Sequence, residues 1–550
     1  MNEFSVVTGA EVVGATLAKL GVRAAFGVVG SGNFVATDAL VRSGAQFYGA
    51  RHESAATSMA DAYWRTCGEV AVCSVHQGPG LTNTATALGE AAKSKVPLVV
   101  ITGAVSAGAL RSNFAMSQDR FAESVGCIAE QIYRPETVAQ DTTRAYRRAL
   151  QEQRPVVLSM PLDVQQALVP QEQQSAPGLH STQTPTQPES AVLDEVAEKL
   201  LSAERPLILG GRGAWLAGAK APLISLADQL GARLASTAVV KGLFDGHPRD
   251  IGIAGGFSHP QAVRTLSSAD LILAVGATLT TWTTRGDTVF SENATVIQVD
   301  ADPAALGLNA RVDIGVNGDA SLVSNALVKR AEAGESRTGA EWQSLPEASA
   351  PTEHQISTEQ NRCHPFMLTE RLEEMLPTQR TLVLDGGHFI GWPAMGWSVP
   401  DPAGFVFTSA GFQSIGLGLG AAVGAAISRP DRLTILASGD GGFLMGISEL
   451  ETMVRLQLPV LVIIYNDSAY GAEVHHFRGH GSGLELVQFP ETDIAETARG
   501  VGAQSATVRN VAELSVLNTW LDRPSGPFIL DAKVDTTVTG PWAEQDFAGH

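Results

Sequence analysis

The strongest constraint on the fold is a repeated alternation of short apolar runs with longer stretches of helical periodicity. The runs have the length of strands and carry few polar residues, which is typical of strands covered on both faces. Such strands, each followed by a helix, predict parallel sheets enclosed by helices. The runs are AAFGVVG, VAVCSV, PLVVITG and PVVLSMP, then PLILGG, LILAVGA and TVIQVD, and finally TLVLDGG, LTILASG, VLVIIYN and PFILDAKV.

Two stretches without hydrophobic periodicity divide these runs into three groups. Residues 169–190 are rich in Pro, Gln, Ser and Thr, and residues 330–355 are rich in Glu, Ala and Ser. Both compositions are typical of loops between domains, and a chain of 550 residues favours several domains. We therefore predict three doubly wound, parallel-sheet α/β domains, at residues 1–170, 190–335 and 360–550.

Charge, cysteine content and hydropathy exclude several classes of protein. A net charge of -19 argues against nucleic-acid binding, and four scattered cysteines argue against a disulfide framework or a zinc site. The first residues, MNEFSVVTGAEVVG, show no signal peptide, which predicts a cytoplasmic protein. Residues 403–427 lack charge and could span a membrane, but Gly, Ala and Ser dominate them. We expect a tightly packed buried segment there, and no membrane partner.

Two of the apolar runs in the third domain end on an acid. LTILAS leads into Gly439-Asp440-Gly441-Gly442, and VLVIIYN leads into Asp467. A β-α-β unit places such strands parallel and usually adjacent, so both acids lie at the carboxyl edge of the sheet, where ligands bind. Two facing carboxylates need a cation or a raised pKa, and hard oxygen ligands suit Mg²⁺ or Ca²⁺. The glycines allow close approach of a phosphate, whereas the alternative is a simple turn with a solvated Asp440.

The segment from Gly439 to Asp467 resembles the signature of thiamine-diphosphate (ThDP) enzymes, in which GDG precedes a pair of asparagines. Asp467 stands where the family has its second Asn and adds one negative charge. The resemblance implies that Mg²⁺ is bound by Asp440, Asp467 and the backbone carbonyl of Ala469. It implies further cofactor contacts from Gly439, Gly441, Gly442, Tyr470 and Gly471.

Two motifs of the first domain resemble other parts of this family. In RHESAATSMADAYWR, Glu53 matches the glutamate that hydrogen-bonds the aminopyrimidine ring and drives deprotonation of the thiazolium; the alternative is a helix-starting acid favoured by the helix dipole. HQGPGLTN, residues 76–83, resembles a loop of acetolactate synthases. His76 is similar in position to the active-site histidine of benzoylformate decarboxylase, with a capping or core histidine as the alternative.

Two further motifs lie in the third domain. In SAGFQSIGLGLGAAVGAA, the resemblance assigns the backbone carbonyl of Gln413 to the cofactor's amino group and Ile415 to the residue that bends the cofactor. The same stretch could be read as a dinucleotide fingerprint from Gly418, but it follows no clear strand, so we predict close helix packing. In LDGGHFIGWPA, the family's Gly-Gln-His, which contacts diphosphate, is matched by Gly386, Gly387 and His388.

Two substrate-side residues are assigned by position alone. Glu473, six residues after Asp467, resembles the catalytic glutamate of 2-oxo-acid decarboxylases, although a charge on a surface helix is the alternative. Gln118 resembles the substrate-positioning glutamine of carboligases, with an uncertainty of one residue in the match.

The resemblance covers nearly the whole chain and is closest to acetolactate synthase large subunits, yet substrate-side positions differ. GATLTTWTTRG replaces the segment that carries their substrate arginine, Leu162 replaces a lysine, and Ala122 stands where a glutamine is expected. These changes put acetolactate synthesis itself in doubt. FAD is equally doubtful, since GGRGAW, residues 210–215, is explained by a tight turn as well as by a nucleotide contact.

The resemblance implies an enzyme that decarboxylates a 2-oxo acid and passes the acyl-anion equivalent to a carbonyl acceptor. The alternatives are plain 2-oxo-acid decarboxylation and cleavage of a 2-hydroxyketone or 2-hydroxyacyl thioester. A noncatalytic binding subunit and a dinucleotide-dependent oxidoreductase are also considered; Glu53 and the near-complete metal site disfavour the first. Family active sites lie between the first domain of one chain and the third of another, which implies a homodimer or homotetramer.

Overall fold

Three six-stranded sheets, each with only parallel pairings, organise the chain. The computed structural model describes residues 7–109, 111–175, 185–332, 334, 336–339, 342, 361–481 and 483–543. The interior strands are almost entirely buried, as strands covered on both faces must be. The predicted class, three doubly wound α/β domains, is confirmed.

The N-terminal unit contains eight strands and eight helices among its described residues. These are β1 Val7–Thr8, α1 Gly9–Lys19, β2 Ala24–Gly27, α2 Phe34–Arg42, β3 Gln46–Gly49, α3 Glu53–Cys67, β4 Val72–Val75, α4 Pro79–Thr82, α5 Ala85–Lys93, β5 Val99–Ala104, α6 Gln118–Ser124, β6 Ile128–Gln131, α7 Val138–Glu152, β7 Val156–Pro161, α8 Leu162–Gln166 and β8 Leu168–Val169. The sheet order is β3-β2-β4-β5-β7-β6, and β1 pairs separately with β8 in antiparallel fashion.

The central unit is a second sheet of the same kind. Its elements are α9 Ser190–Ser202, β9 Pro206–Gly210, α10 Arg212–Leu216, α11 Lys220–Leu230, β10 Arg233–Ser236, β11 Asp250–Ile253, α12 Pro260–Ser268, β12 Leu271–Val275, α13 Thr281–Thr284, β13 Thr295–Asp300, β14 Ile314–Asn317 and α14 Ala320–Ala331. The strand order is β11-β10-β9-β12-β13-β14.

The C-terminal unit carries the third sheet. Its elements are α15 Pro365–Met375, β15 Arg380–Leu384, α16 Gly391–Gly396, β16 Phe405–Phe407, α17 Gly418–Ser428, β17 Leu433–Gly439, α18 Asp440–Gly446, α19 Ser448–Arg455, β18 Val460–Asn466, α20 Gly471–Phe477, α21 Ile494–Val501, β19 Gln504–Val508, α22 Asn518–Asp522 and β20 Phe528–Lys533. The order β16-β15-β17-β18-β20-β19 makes β17 and β18 parallel neighbours, as predicted.

Every apolar run identified in the sequence is an interior strand of one of these sheets. The strands without such a run are β10, the small antiparallel pair and the edge strands, several of which are half-exposed and carry polar residues. The predicted linkers are only partly loops: β8 ends at the start of the first, and α14 ends at the start of the second. Residues 176–184 and 343–360 lie outside the described residues, so the domain boundaries stay predictions.

The Gly-rich segment that lacks charge is a buried helix, α17, packed against α3 of the N-terminal unit. A Cβ on Gly424 would overlap the Met59 carbonyl oxygen, and one on Gly420 would lie 2.8 Å from the Ala55 carbonyl oxygen. The glycines therefore allow close helix packing, as predicted for this stretch. Among the described residues, no helix is both long and apolar enough to cross a membrane.

Candidate active site

Two carboxylates meet at the carboxyl edge of the C-terminal sheet. Asp440 is the first residue of α18, directly after β17, and Asp467 follows β18. The pKa of both carboxyl groups is raised, mainly because burial disfavours their charged forms, and Asp467 is raised further by the charge of Asp440. Because two facing carboxylates repel one another, the pair favours a state in which one of the two is protonated.

The surroundings of this pair fit a cation between oxygen ligands. The Oδ1 atom of Asp440 is buried and has no hydrogen-bond partner, which is costly without a ligand. A Cβ on Gly471 would overlap the Oδ2 atom of Asp467, so this glycine leaves the carboxylate room. Ala469 donates its N–H to Asp467 Oδ1 at 3.2 Å, which brings the third predicted ligand residue alongside. Among the described residues, no cluster of three acidic, His or Cys side chains is able to hold a metal, here or elsewhere.

Glycines also determine how closely the neighbouring groups approach. A Cβ on Gly441 would lie 2.8 Å from the Tyr470 ring, and one on Gly442 would lie 2.5 Å from Asp385 Oδ2. Gly387 has a φ of 131°, a backbone conformation that favours glycine. Gly439 caps α18 in an extended conformation. The predicted cofactor glycines thus lie around the carboxylate pair.

Asp385, which the sequence analysis did not select, is a buried carboxylate at the end of β15. It accepts hydrogen bonds from the N–H of Gly386 at 2.8 Å, the N–H of Gly416 at 3.0 Å and the hydroxyl of Ser438 at 3.1 Å. Burial raises its pKa to about 6. Asp385 therefore connects the ends of β15 and β17 with the segment that carries Gln413 and Ile415 through hydrogen bonds. Its position between an apolar run and Gly386 was the signal available in the sequence.

The segment that joins β16 to α17 contains Gln413, predicted to bind the cofactor's amino group, and Ile415, predicted to bend the cofactor. Gln413 has a φ of 51°, which is uncommon for a residue with a side chain, and Ser409 accepts its N–H at 3.1 Å. A Cβ on Gly386 would overlap the Ser414 carbonyl oxygen and lie 2.9 Å from Ile415. Ile415 is thus held against Gly386, one of the residues predicted to contact diphosphate.

His388 lies in a buried cluster of aromatic side chains. Its Nε2 accepts the N–H of Gly540 at 3.3 Å, and its carbonyl oxygen accepts the indole N–H of Trp542 at 2.9 Å. The ring of His475 lies 4.1 Å away, and burial lowers the pKa of His475 to about 3, so that ring is neutral. His475 and Trp542 were not predicted from sequence, because nothing in the linear pattern connects residue 542 with residue 388.

Glu473 lies in the first turn of α20, between the loop that follows Asp467 and His475. Its side chain is half-buried, and its N–H donates to the Tyr470 carbonyl at 3.0 Å. Glu473 therefore lies six residues after Asp467 in the sequence, at the start of the next helix. Its catalytic role stays a prediction.

A second group of predicted residues lies on the N-terminal unit. Glu53 begins α3, and its Oε2 accepts the side-chain amide of Asn83 at 2.9 Å. Gly80 lies between two of the residues, since a Cβ there would be 3.3 Å from both Glu53 Oε1 and His76 Cβ. Asn83, a neighbour the motif already contained, therefore orients Glu53, and Gly80 leaves the space in front of it open.

His76 faces a serine that the sequence analysis also missed. The Nδ1 of His76 donates to the Gln77 carbonyl at 2.8 Å, which leaves Nε2, 3.4 Å from the Ser31 hydroxyl, as the acceptor in the neutral ring. The Phe114 ring contacts the imidazole edge to face, with centroids 4.8 Å apart. Ser31 lies in a G-S-G-N stretch after β2, the signal by which it could have been found.

The side chain of Gln118, the fourth predicted catalytic residue, is hydrogen-bonded within the N-terminal unit. Its side-chain nitrogen donates to the Gly103 carbonyl at 3.0 Å and to the Ser159 hydroxyl at 2.9 Å. The residue is buried at the start of α6, where it connects the ends of β5 and β7. Its role toward substrate stays a prediction.

The two groups of predicted residues make no direct contact with one another among the described residues. Over the described ranges, no hydrogen bond or ring contact joins Glu53 or His76 to the carboxylate pair or to Gln413. The two units nevertheless contact one another close to these groups: the N–H groups of Arg51 and His52, immediately before Glu53, both donate to Glu449 at 3.0 Å.

The glycines of residues 210–215 serve close packing in the central unit. A Cβ on Gly211 would overlap the Gly276 carbonyl, and Gly213 donates its N–H to that same carbonyl at 2.9 Å. The Arg212 side chain donates to the Ser94 carbonyl of the N-terminal unit. A tight turn accounts for this motif, and FAD stays a doubtful expectation.

Models of three protein families match successive parts of the chain. They are described as the thiamine pyrophosphate enzyme N-terminal TPP binding domain, over residues 7–124, the central domain, over residues 193–327, and the C-terminal TPP binding domain, over residues 385–531. Their order along the chain is that of the three sheets.

Curated relatives match across nearly the full length. An acetolactate synthase large subunit from Parasynechococcus marenigrum is 30% identical over 86% of this chain and 78% of its own length. A probable acetolactate synthase large subunit from Methanocaldococcus jannaschii is 27% identical, over 97% and 93%. A sulfoacetaldehyde acetyltransferase from Roseovarius nubinhibens is 28% identical, over 91% and 87%.

Proposed function

The chain belongs to the thiamine-diphosphate-dependent enzyme superfamily and is acetolactate synthase-like, and we propose that it is a carboligase acting on a 2-oxo acid. In the proposed reaction the bond between the carbonyl carbon and the carboxylate of the 2-oxo acid breaks and CO₂ leaves. The acyl unit forms a new carbon–carbon bond to the carbonyl carbon of a second substrate, whose oxygen takes up a proton. Relatives named as acetolactate synthases and as an acetyltransferase support acyl transfer.

The observation that carries this proposal is the crowded carboxylate pair. Asp440 has a buried oxygen without a hydrogen-bond partner, and its carboxylate repels that of Asp467, an arrangement that Mg²⁺ would relieve. We propose that Asp440, Asp467 and the Ala469 carbonyl hold Mg²⁺. Gly386, Gly387 and His388 would then hold the diphosphate, with Tyr470 and Gly471 at its other side.

The N-terminal group supplies the proton chemistry. When bound, ThDP supplies a nucleophilic carbon and an electron sink for decarboxylation. Glu53 would exchange a proton with the cofactor's aminopyrimidine ring, and the Asn83 amide fixes the orientation of the Glu53 carboxyl group. Gln413 and Ile415, which belong to the C-terminal unit, would contact the other side of the cofactor's ring system.

A second candidate function is plain decarboxylation to an aldehyde. It is favoured by His76, whose ring is paired with the Ser31 hydroxyl on the same wall as Glu53. Such a polar pair can bind the substrate carboxylate and later deliver a proton to the carbon that lost CO₂. The two functions differ only in whether a proton or a carbonyl acceptor reaches that carbon first. Lyase action on a 2-hydroxyketone or 2-hydroxyacyl thioester is the same carbon–carbon chemistry in reverse.

We also propose that the active enzyme is at least a homodimer. Large apolar side chains are exposed near both halves of the site: Phe34, Val35 and Phe114 on the N-terminal unit, and Phe412 and Met445 on the C-terminal unit. A partner chain that brings the two halves together would cover such residues. A homotetramer would repeat the same contact.

The proposal is tested first by calorimetric titration of metal-stripped protein with ThDP, with and without Mg²⁺. Asp440→Ala should abolish Mg²⁺-dependent binding, whereas Asp431→Ala, which removes an exposed acid paired only with neighbouring arginines, should leave it unchanged. Absence of ThDP binding by the unaltered protein under both conditions would overturn the proposed function.

The reaction is then assigned with a panel of 2-oxo acids, each alone and with a second carbonyl compound. CO₂ release is measured together with product mass. A product that contains the acyl unit joined to the acceptor supports the carboligase. Release of aldehyde alone, with or without acceptors, supports the decarboxylase and contradicts the carboligase.

A further inference from the structure

A buried glutamate of the N-terminal unit holds backbone of the C-terminal unit. Glu90, on α5, is fully buried, and its carboxylate accepts the N–H of Phe412 at 2.7 Å and the N–H of Gly411 at 3.0 Å. These two amides lie immediately before Gln413. A buried carboxylate that binds two consecutive N–H groups is a strong, directional anchor.

The charge of Glu90 is balanced within the same buried cluster. Arg65, on α3, donates to Glu90 at 3.1 Å and is also paired with Asp61. The Arg65 guanidinium reaches the C-terminal unit as well, where it donates to the Phe407 carbonyl at 3.0 Å. The cluster therefore forms hydrogen bonds both to the end of β16 and to the segment that follows it.

The other end of this segment is anchored by a second buried carboxylate. Asp385 accepts the N–H of Gly416, so the residues between Gly411 and Gly416 are held at both ends. Gln413, with its positive φ, lies between the two anchors. A residue with a side chain keeps this conformation only where its surroundings enforce it. The two carboxylates are the groups that enforce it here.

We propose that Glu90 is a positioning residue for the cofactor: it holds the Gly411–Phe412 backbone so that Gln413 and Ile415 are preformed for the aminopyrimidine. The inference rests on the proposed ThDP site. It assigns to a residue of the N-terminal unit the control of a contact made by the C-terminal unit of the same chain. Glu90 itself touches neither the cofactor nor substrate.

Two variants test the anchor in different ways. Glu90→Gln removes the charge and weakens both contacts. Gly411→Ala leaves every charge in place, but its Cβ would lie 2.8 Å from the Ser94 hydroxyl and 3.0 Å from Lys93 Cβ, which pushes the segment away from Glu90. Asp61→Asn is the matched control, because it removes a buried charge of the same cluster without touching the segment.

The first measurement is hydrogen exchange in the cofactor-free protein, followed by mass spectrometry of a peptide that covers residues 409–417. Both test variants should speed exchange of the Gly411 and Phe412 amides, and the control should not. The second is ThDP affinity in the presence of Mg²⁺, which we expect to fall about tenfold in both test variants, since each loses charge-assisted hydrogen bonds to the segment. Affinity in Asp61→Asn should stay within about twofold of the unaltered protein.

The outcomes separate this inference from the proposed function. If the unaltered protein binds ThDP and both test variants bind it equally well, the positioning role is wrong and the proposed function stands. If Asp61→Asn weakens ThDP binding as much as Glu90→Gln, the cluster acts through general stability and the inference is also overturned. If the unaltered protein fails to bind ThDP, both fail. Should Glu90→Gln not fold, Gly411→Ala carries the same comparison.

Discussion

Replacement of Asp385 by Asn tests the energetics of the carboxylate that organises the C-terminal sheet edge. The carboxyl group is completely buried, and burial raises its pKa from 3.8 to about 6. A folded-state pKa above the unfolded value means that the native protein binds the proton more tightly. Stability from this group is therefore full below pH 4 and is lost as the pH rises to about 6. Asn has nearly the same shape and does not titrate.

The expected size follows from the shift. About two pKa units at roughly 1.4 kcal/mol each give a loss of about 3 kcal/mol between pH 4 and pH 7. For a domain of this size, that corresponds to a change of about 6–12 °C in the midpoint of thermal unfolding. The melting temperature of the unaltered protein minus that of Asp385→Asn should therefore fall by that amount from pH 4 to pH 7.

The assay is scanning fluorimetry of both proteins, without cofactor, at half-unit pH steps. Thr381→Val, at a buried position of the same strand that does not titrate, is the control for altered packing. A constant difference between Asp385→Asn and the unaltered protein from pH 4 to pH 7 would refute the reasoning. So would a difference that grows with pH, because it would mean that the hydrogen bonds to Gly416 and Ser438 hold the carboxylate ionised.

Three further results are expected. Glu53→Gln should bind ThDP but lose CO₂ release by about a hundredfold or more, measured by a coupled CO₂ assay; unchanged release would remove Glu53 from the proton chemistry. Gly424→Ala should lower stability by about 1–3 kcal/mol, read from thermal unfolding, because the new methyl overlaps the Met59 carbonyl; a neutral result would mean that α3 and α17 can separate at no cost. Trp542→Ala should cost about 3–5 kcal/mol and expose His388 to hydrogen exchange, since this fully buried indole covers it; protection retained at His388 would contradict that view.

The parts of the fold that were predictable from sequence are those dictated by burial. Interior strands such as β17 and β18 must be apolar along their whole length, so they are visible as runs. Edge strands such as β3 and β19 are half-exposed and carry polar residues, which leaves no such run. Their existence follows only from pairing with a neighbour that is distant in sequence.

The same division holds for the site. Asp440 and Asp467 were predictable, because each follows an apolar run at a strand end and adjacent parallel strands bring those ends together. Glu90 was not, because its partner Phe412 lies 322 residues away and is bound through its backbone N–H, which no side-chain pattern marks. Asp385 also follows an apolar run, but nothing in the sequence connects it with the N–H of Gly416, 31 residues away. The motif around Gln118 predicted a substrate role, and that role stays a prediction. The sequence did not indicate that the side-chain amide of Gln118 hydrogen-bonds to Gly103 and Ser159.

The departure from the family at Asp467 is consistent with the charges beneath the site. Asn466 donates to the buried Asp531 at 2.8 Å, and Asp531 pairs with the buried Lys533 at 2.9 Å. Lys533 and Asp531 therefore neutralise one another. Protonation of one carboxyl group leaves a single negative charge on Asp440 and Asp467, and a cation that displaces this proton would meet two. A divalent cation cancels that charge, whereas an Asn at position 467 would leave only one charge to cancel. The second carboxylate thus makes the empty site less stable and the cation more strongly required.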